Sequence, residues 1–137
     1  MNNYYNTQYA QVGYDAQEKY VVCIVKGFMP FDHFQEVWNN ILEACNNHQI
    51  SKILIDARES KIITPESQQW LIGVMMPKML QQLRNVTIAR LISVDIFSQL
   101  SVNAITQQLH PNILIKQFGE ESSAKDWLKD FAIETKA

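Results

Sequence analysis

Apolar residues recur at helical spacing most clearly at Phe34, Val37, Trp38, Ile41, Leu42 and Cys45, and this stripe predicts an amphipathic helix. Asp32, with Gln35 three residues on, resembles a capping box at its start, and Asn46-Asn47-His48 ends it. Before it, residues 8–15 and 19–27 read as two strands of an antiparallel hairpin joined by Ala16-Gln17-Glu18. The second strand, YVVCIVKG, is apolar on both faces until Lys26, as in a strand covered on both sides, and Gly27 ends it. Residues 53–57, short and uniformly apolar before Asp56, and residues 86–94 read as parallel strands. Thr64 and Pro65 open a second helix, and Pro77 predicts a kink or restart within it. Asp95 caps a third helix carrying Phe97, Leu100, Ala104 and Ile105. Residues 113–118 form a last strand, Gly119 breaks it, and Ala124, Trp127, Leu128 and Phe131 mark a final amphipathic helix. The order β-β-α-β-α-β-α-β-α predicts an α/β fold. Its mostly parallel sheet has about five strands, with an antiparallel N-terminal hairpin at one edge and four helices, in one domain spanning 1–137.

The chain has 137 residues, 47% hydrophobic and 19% charged, enough to bury a core and too apolar for a disordered segment. Its formal charge is −2, and its Lys and Arg residues are scattered. A nucleic-acid partner needs a basic stripe that displaces counterions from phosphates, and this chain has none. The start, MNNYYNTQYAQ, lacks the basic and apolar regions of a signal peptide. Apolar runs fall short of the roughly 18–20 residues of a membrane helix, so the expectation is a cytoplasmic protein without a membrane span. Cys23 and Cys45 lie in apolar surroundings and read as small buried hydrophobes rather than a disulfide pair.

Several segments carry a likeness: KGF at 26–28, LIDAR at 54–58, TPESQQW at 64–70, DIFSQLSV at 95–102 and AKDWL at 124–128. In this order of elements they resemble the SpoIIAA-like domains, a superfamily that includes the STAS anti-sigma-factor antagonists and the lipid-binding Sec14 domains. The likeness runs from about residue 20 to 131 and is nearest to the small bacterial members. It implies a non-enzymatic regulatory or protein-interaction module, a homodimer. The Sec14 side implies the alternative, a carrier or sensor of a small hydrophobic ligand or lipid. STAS antagonists carry a phosphorylatable hydroxyl in an Asp-Ser-Ser-Gly-like turn at the start of the helix after this strand. Here the turn is Thr64-Pro65-Glu66-Ser67, without the glycine and with a carboxylate near the acceptor position, so the resemblance implies no phosphoacceptor turn of that kind. Read from the residues, Thr64 is an N-cap and Glu66 complements the helix dipole.

No catalytic signature stands out. The glycines are isolated, which rules out a dinucleotide fingerprint or a phosphate loop. His33, His48 and His110 sit singly near helix ends, without metal-ligand spacing, so neither metal nor cofactor is expected. The candidates for ligand or partner binding are Asp56 and Arg58, two apart at the carboxyl end of a central strand, with Ser93 and Asp95 after the next strand and Thr64 and Glu66 in the turn. An alternative role for Asp56 and Arg58 is a salt bridge that ties down the following loop. Ser60 reads as an exposed loop hydroxyl. The second helix, WLIGVMMPKML at 70–80, is apolar nearly all round. With Trp70, Leu71, Val74 and Met75 facing the core, Ile72, Met76, Met79 and Leu80 form a candidate interface, and Met76→Glu is expected to weaken assembly without unfolding the monomer. A helix that breaks at Pro77 and turns its second half inward would bury the same residues.

Overall fold

A computed structural model describes residues 2–92 and 96–130. Six strands form one sheet in sequence order: β1 (Asn2–Asn6), β2 (Ala10–Asp15), β3 (Tyr20–Gly27), β4 (Lys52–Ser60), β5 (Val86–Leu91) and β6 (Ile113–Phe118). The first three are antiparallel neighbours and β3 to β6 are parallel, so the mostly parallel α/β sheet with an N-terminal hairpin is as the pattern predicts. The hairpin turn is held by Asp15, whose Oδ1 accepts from the backbone N–H of Gln17 and Glu18, both at 3.0 Å. At the other end of β3, Gly27 has φ 83°, a left-handed conformation that costs glycine nothing.

The pattern missed β1. Its sequence, NNYYN, is poor in strand-forming residues, and tertiary contacts with α1 (Phe31–His48) hold it in place. The Tyr4 hydroxyl meets His48 Nε2 at 2.9 Å, and the His48 ring stacks on Tyr14 of β2 with centroids 3.7 Å apart. The Tyr5 hydroxyl meets His33 Nδ1 at 2.9 Å. His33 and His48 thus fasten the hairpin to the first helix.

Parallel strands laid down in sequence order, each joined by a right-handed crossover, put every crossover helix on the same face of the sheet. The large core lies between that face and the helices. It contains Val37, Ile41 and Cys45 of α1, Met75 and Met79 of the second helical segment, Ile105 of α4 (Ile96–Thr106), and inward strand residues such as Val21, Ile53 and Ile88. The last described helix, α5 (Glu121–Asp130), follows β6, the last described strand, and lies over the opposite face. There Ala124 and Leu128 pack with Tyr20, Leu54, Ala89 and Leu91. This two-sided cover is why β4 and β5 are apolar on both faces.

Local signals read from the sequence fare unevenly. Thr64 is the N-cap of α2 (Pro65–Trp70) as expected, with Oγ1 accepting from the Ser67 N–H at 3.2 Å. The capping box at Asp32 does not form. Helix α1 starts two residues earlier than that box requires, with Pro30 as N-cap, and Asp32 instead accepts from the adjacent His33 N–H at 2.9 Å. Among the described side chains of α4, Ser101, Val102 and Ile105 are buried, while Leu100 is 55% exposed and Ala104 is exposed. Phe131 lies outside the described residues.

The largest departure concerns Pro77. The helix neither breaks nor restarts there. It runs on from α2 through a π-helical turn, Leu71–Met75, into α3 (Met76–Leu83), so the four helices of the pattern remain four helical segments. The Met76 N–H bonds to the Leu71 carbonyl, five residues back. In an ordinary α-helix the Pro77 ring would press on the Gly73 carbonyl, and the missing N–H would leave that carbonyl unpaired. The wider turn relieves this strain and inserts one extra residue. One extra residue rotates everything beyond it by about 100°. As a result Met76 and Met79 are 2% and 0% exposed, whereas Val74, expected inside, is 53% exposed. Trp70, Ile72 and Leu80 are half-buried and packed against the core.

Candidate functional site

Two clusters of polar side chains gather at the carboxyl ends of the parallel strands, one on each face of the sheet. Asp56 and Arg58 alternate along β4 and share the α5 side, since Leu54, two residues before Asp56, packs under α5. Arg58 Nε donates to Asp56 Oδ1 at 2.9 Å and Nη2 donates to Oδ2 at 2.7 Å, a two-pronged pair. Arg58 also reaches Glu121 Oε1 at 3.5 Å, and Glu121 accepts from Lys125 Nζ at 2.8 Å. The network therefore bridges β4 to the first turn of α5. The hydrogen bonds from Arg58 hold the Asp56 carboxyl below its usual range. Both carboxylate oxygens are engaged by Arg58, and the contacts of the pair beyond β4 run to α5 through Glu121.

This arrangement sets a pH dependence. A carboxyl depressed in the folded state contributes stability that is fully present above the unfolded carboxylate pKa and is lost as pH falls through the folded value. The pair is half-exposed, so its worth is about 0.5–1 kcal/mol. Arg58→Ala should lower urea stability by that amount at neutral pH, and the gap should close as the solution is acidified. A gap that persists in acid would show that the carboxylate is not the group responsible.

The second cluster lies on the large-core face. A cavity of about 80 Å³ sits between the sheet and helices α1, α2 and α4. Its sheet wall is formed by Cys23, Val25, Ile55, Ala57, Ile88 and Ile115. The helices contribute Phe34, Trp38, Ile41, Leu71, Val102 and Ile105. Gly27 at the end of β3 and Met29 beyond it, with Lys61, Ile62 and Ile63 after β4, line its mouth, and Ile62 is 45% exposed there. Polar groups enter this apolar lining at Ser60, Ser67 and Arg90. Arg90 is 4% exposed. It donates from Nη1 to Gln117 Oε1 at 2.8 Å and from Nη2 to Ser60 Oγ at 3.4 Å. Burial lowers its pKa to about 10, which leaves the guanidinium charged at neutral pH. Ser60 is itself 6% exposed and donates to the Ala57 carbonyl at 2.8 Å, so it is a buried strand-end hydroxyl rather than the exposed loop residue expected.

The candidate residues are therefore dispersed. Asp56 and Arg58 face α5, and Thr64 belongs to the turn leading from the cavity mouth into α2, its hydroxyl committed to capping and to Ser67 Oγ at 3.2 Å. Glu66 is exposed in the first turn of α2. Ser93 and Asp95 lie outside the described residues. Met76 and Met79 are core residues of the monomer, so of the four side chains of the expected interface only Ile72 and Leu80 retain partial exposure. Arg90 and Lys61 escaped the sequence reading. The signal for Arg90 was present in VTIARL, where a single charge interrupts a strand whose every position is buried.

The described residues contain no group of three His, Cys, Asp or Glu side chains placed to hold a metal ion. Burial pushes the thiols of Cys23 and Cys45 up to about 12, so neither offers a thiolate near neutral pH. No described helix is long and apolar enough to cross a membrane. Compared with known proteins, the chain matches no family model and no curated protein.

Proposed function

We propose that this protein binds a small apolar molecule in the cavity between its parallel sheet and helices α1, α2 and α4, as a carrier or sensor. The observation that carries the reading is the cavity itself, an apolar space at the carboxyl ends of parallel strands with a few convergent polar groups at one end. That is where open α/β sheets place their ligands and how small-molecule sites are composed. The resemblance to SpoIIAA-like domains, through their Sec14 branch, points the same way. The volume limits the guest. An engineered apolar cavity of about 150 Å³ takes up benzene, so a space near half that size accepts a short chain or a small branched group. The alternative of a homodimeric interaction module rests on the helix face that the π-turn has largely turned inward.

A ligand that binds only the folded state, present at a hundred times its Kd, stabilises by about 2.7 kcal/mol. For a chain of this size that corresponds to roughly 8 °C in Tm. A panel of short alcohols, branched alkanes and carboxylates should therefore contain members that raise Tm by several degrees. Ala57 is 1% exposed and lines the cavity, and Ala57→Leu would occupy the space. The response should disappear in that variant while its circular dichroism stays native. A panel without a shift, or a shift that survives Ala57→Leu, would sink the proposal.

A further inference from the structure

We infer that the guest of this cavity is a small neutral carbonyl compound of about three or four heavy atoms, its oxygen accepting hydrogen bonds from the Trp38 indole and the Ser67 hydroxyl. The inference rests on the cavity reading above and adds the chemistry of the guest's one polar group. Trp38 lines the cavity from α1, is 7% exposed, and its indole N–H finds no acceptor among the described residues. An indole N–H is a donor only, and a buried one usually has a partner. Ser67 lines the same space from α2 and is 1% exposed. Its Oγ accepts from Thr64 Oγ1 at 3.2 Å, and its own O–H has no acceptor among the described residues. Two buried donors on the wall of a mainly apolar space therefore call for an acceptor.

Helices α1 and α2 touch beside this space, where the Phe34 ring meets Trp70 edge-on with centroids 6.1 Å apart. Trp38 stands one turn beyond Phe34, and Ser67 one turn before Trp70. A carbonyl oxygen has two lone pairs and can accept from both donors. An alcohol would bring a hydrogen of its own that needs an acceptor in turn. Neither donor is charged, so neither offsets the cost of burying an ion. Arg90 and Ser60 have partners of their own and are not needed by the guest. The size follows from the space of about 80 Å³, roughly half the 150 Å³ that holds benzene.

The test compares acetone with isobutene, which has the same shape with a methylene group in place of the oxygen, in NMR titrations of the full chain. The indole N–H signal of Trp38 is assigned by elimination with Trp70→Phe and Trp127→Phe. It should move downfield as acetone binds and stay near its starting position with isobutene. The affinity for acetone relative to isobutene should fall about fivefold in Trp38→Phe and in Ser67→Ala, the worth of one neutral hydrogen bond in each case. Should Trp38→Phe fail to fold, the indole signal and Ser67→Ala carry the test. Binding of both compounds with no downfield shift peculiar to acetone would overturn the carbonyl assignment and leave the apolar site standing. A relative affinity unchanged in the folded variants would overturn the placement of the oxygen. Binding of neither compound would overturn the cavity reading itself.

Discussion

Met76→Glu is expected to unfold this protein or leave it marginally stable, whereas Val74→Glu, two residues away on the same helix, should leave it folded. The contrast follows from the π-turn. In an unbroken α-helix, Val74 would share the inward stripe with Leu71 and Met75, and Met76 would point away from it. The extra residue at Leu71–Met75 reverses these positions, leaving Met76 2% and Val74 53% exposed. A glutamate at 76 would place a carboxylate among Leu71, Ile88 and Ile105, side chains that line the same space and cannot solvate it. Burying an unpaired charge costs about 4 kcal/mol or more. That is most of the stability of a domain at the low end of the typical range of about 5–15 kcal/mol. At 74 the same substitution is a surface change, worth about 0.5 kcal/mol in either direction. Urea titrations of the two variants read the helix register directly. A stable Met76→Glu protein would mean that Met76 faces solvent, which would restore the interface expected from an ideal helix.

The second large effect is expected at Leu128. Helix α5 alone among the described helices covers its face of the sheet, and its hold is narrow: Ala124 and Leu128, both fully buried, with Trp127 half-buried against Phe118. Leu128→Ala removes the larger of the two buried anchors. The cost is about 3–4 kcal/mol, the loss of transfer free energy together with the cavity left behind. Because α5 is the last described element, part of this loss should appear as local opening. Hydrogen exchange should then show backbone amides of 121–130 losing protection before those of β4 and β5. The Arg58–Glu121 contact at 3.5 Å is exposed and too weak to hold the helix by itself. A loss of less than about 1 kcal/mol would show that α5 does not depend on this packing.

Much of the fold is legible residue by residue. The stripe from Phe34 to Cys45 is the buried face of α1, and the uniformly apolar runs of β4 and β5 are strands covered on both sides. Last strand β6 spans the six predicted residues. Thr64 caps its helix because the capping bond is local and needs no partner from elsewhere. The site is less legible. Asp56 and Arg58 stand out as charges at a strand end, yet they satisfy each other. Arg90 is a single charge inside a strand otherwise read as core, and its place on the cavity wall depends on helices distant in sequence.

The sequence by itself determined the alternation of elements, the parallel sheet and the side of the first helix that faces the core. Those depend on hydrophobic periods that repeat every two or about 3.6 residues. Tertiary structure decided what no local period encodes. An Asn- and Tyr-rich segment became β1 because His33 and His48 received its tyrosines. Met76 and Met79 turned inward because the strain at Pro77 was relieved by one extra residue in the preceding turn. Arg90 came to line a cavity because it stands on the side of β5 that faces the space between the sheet and the helices.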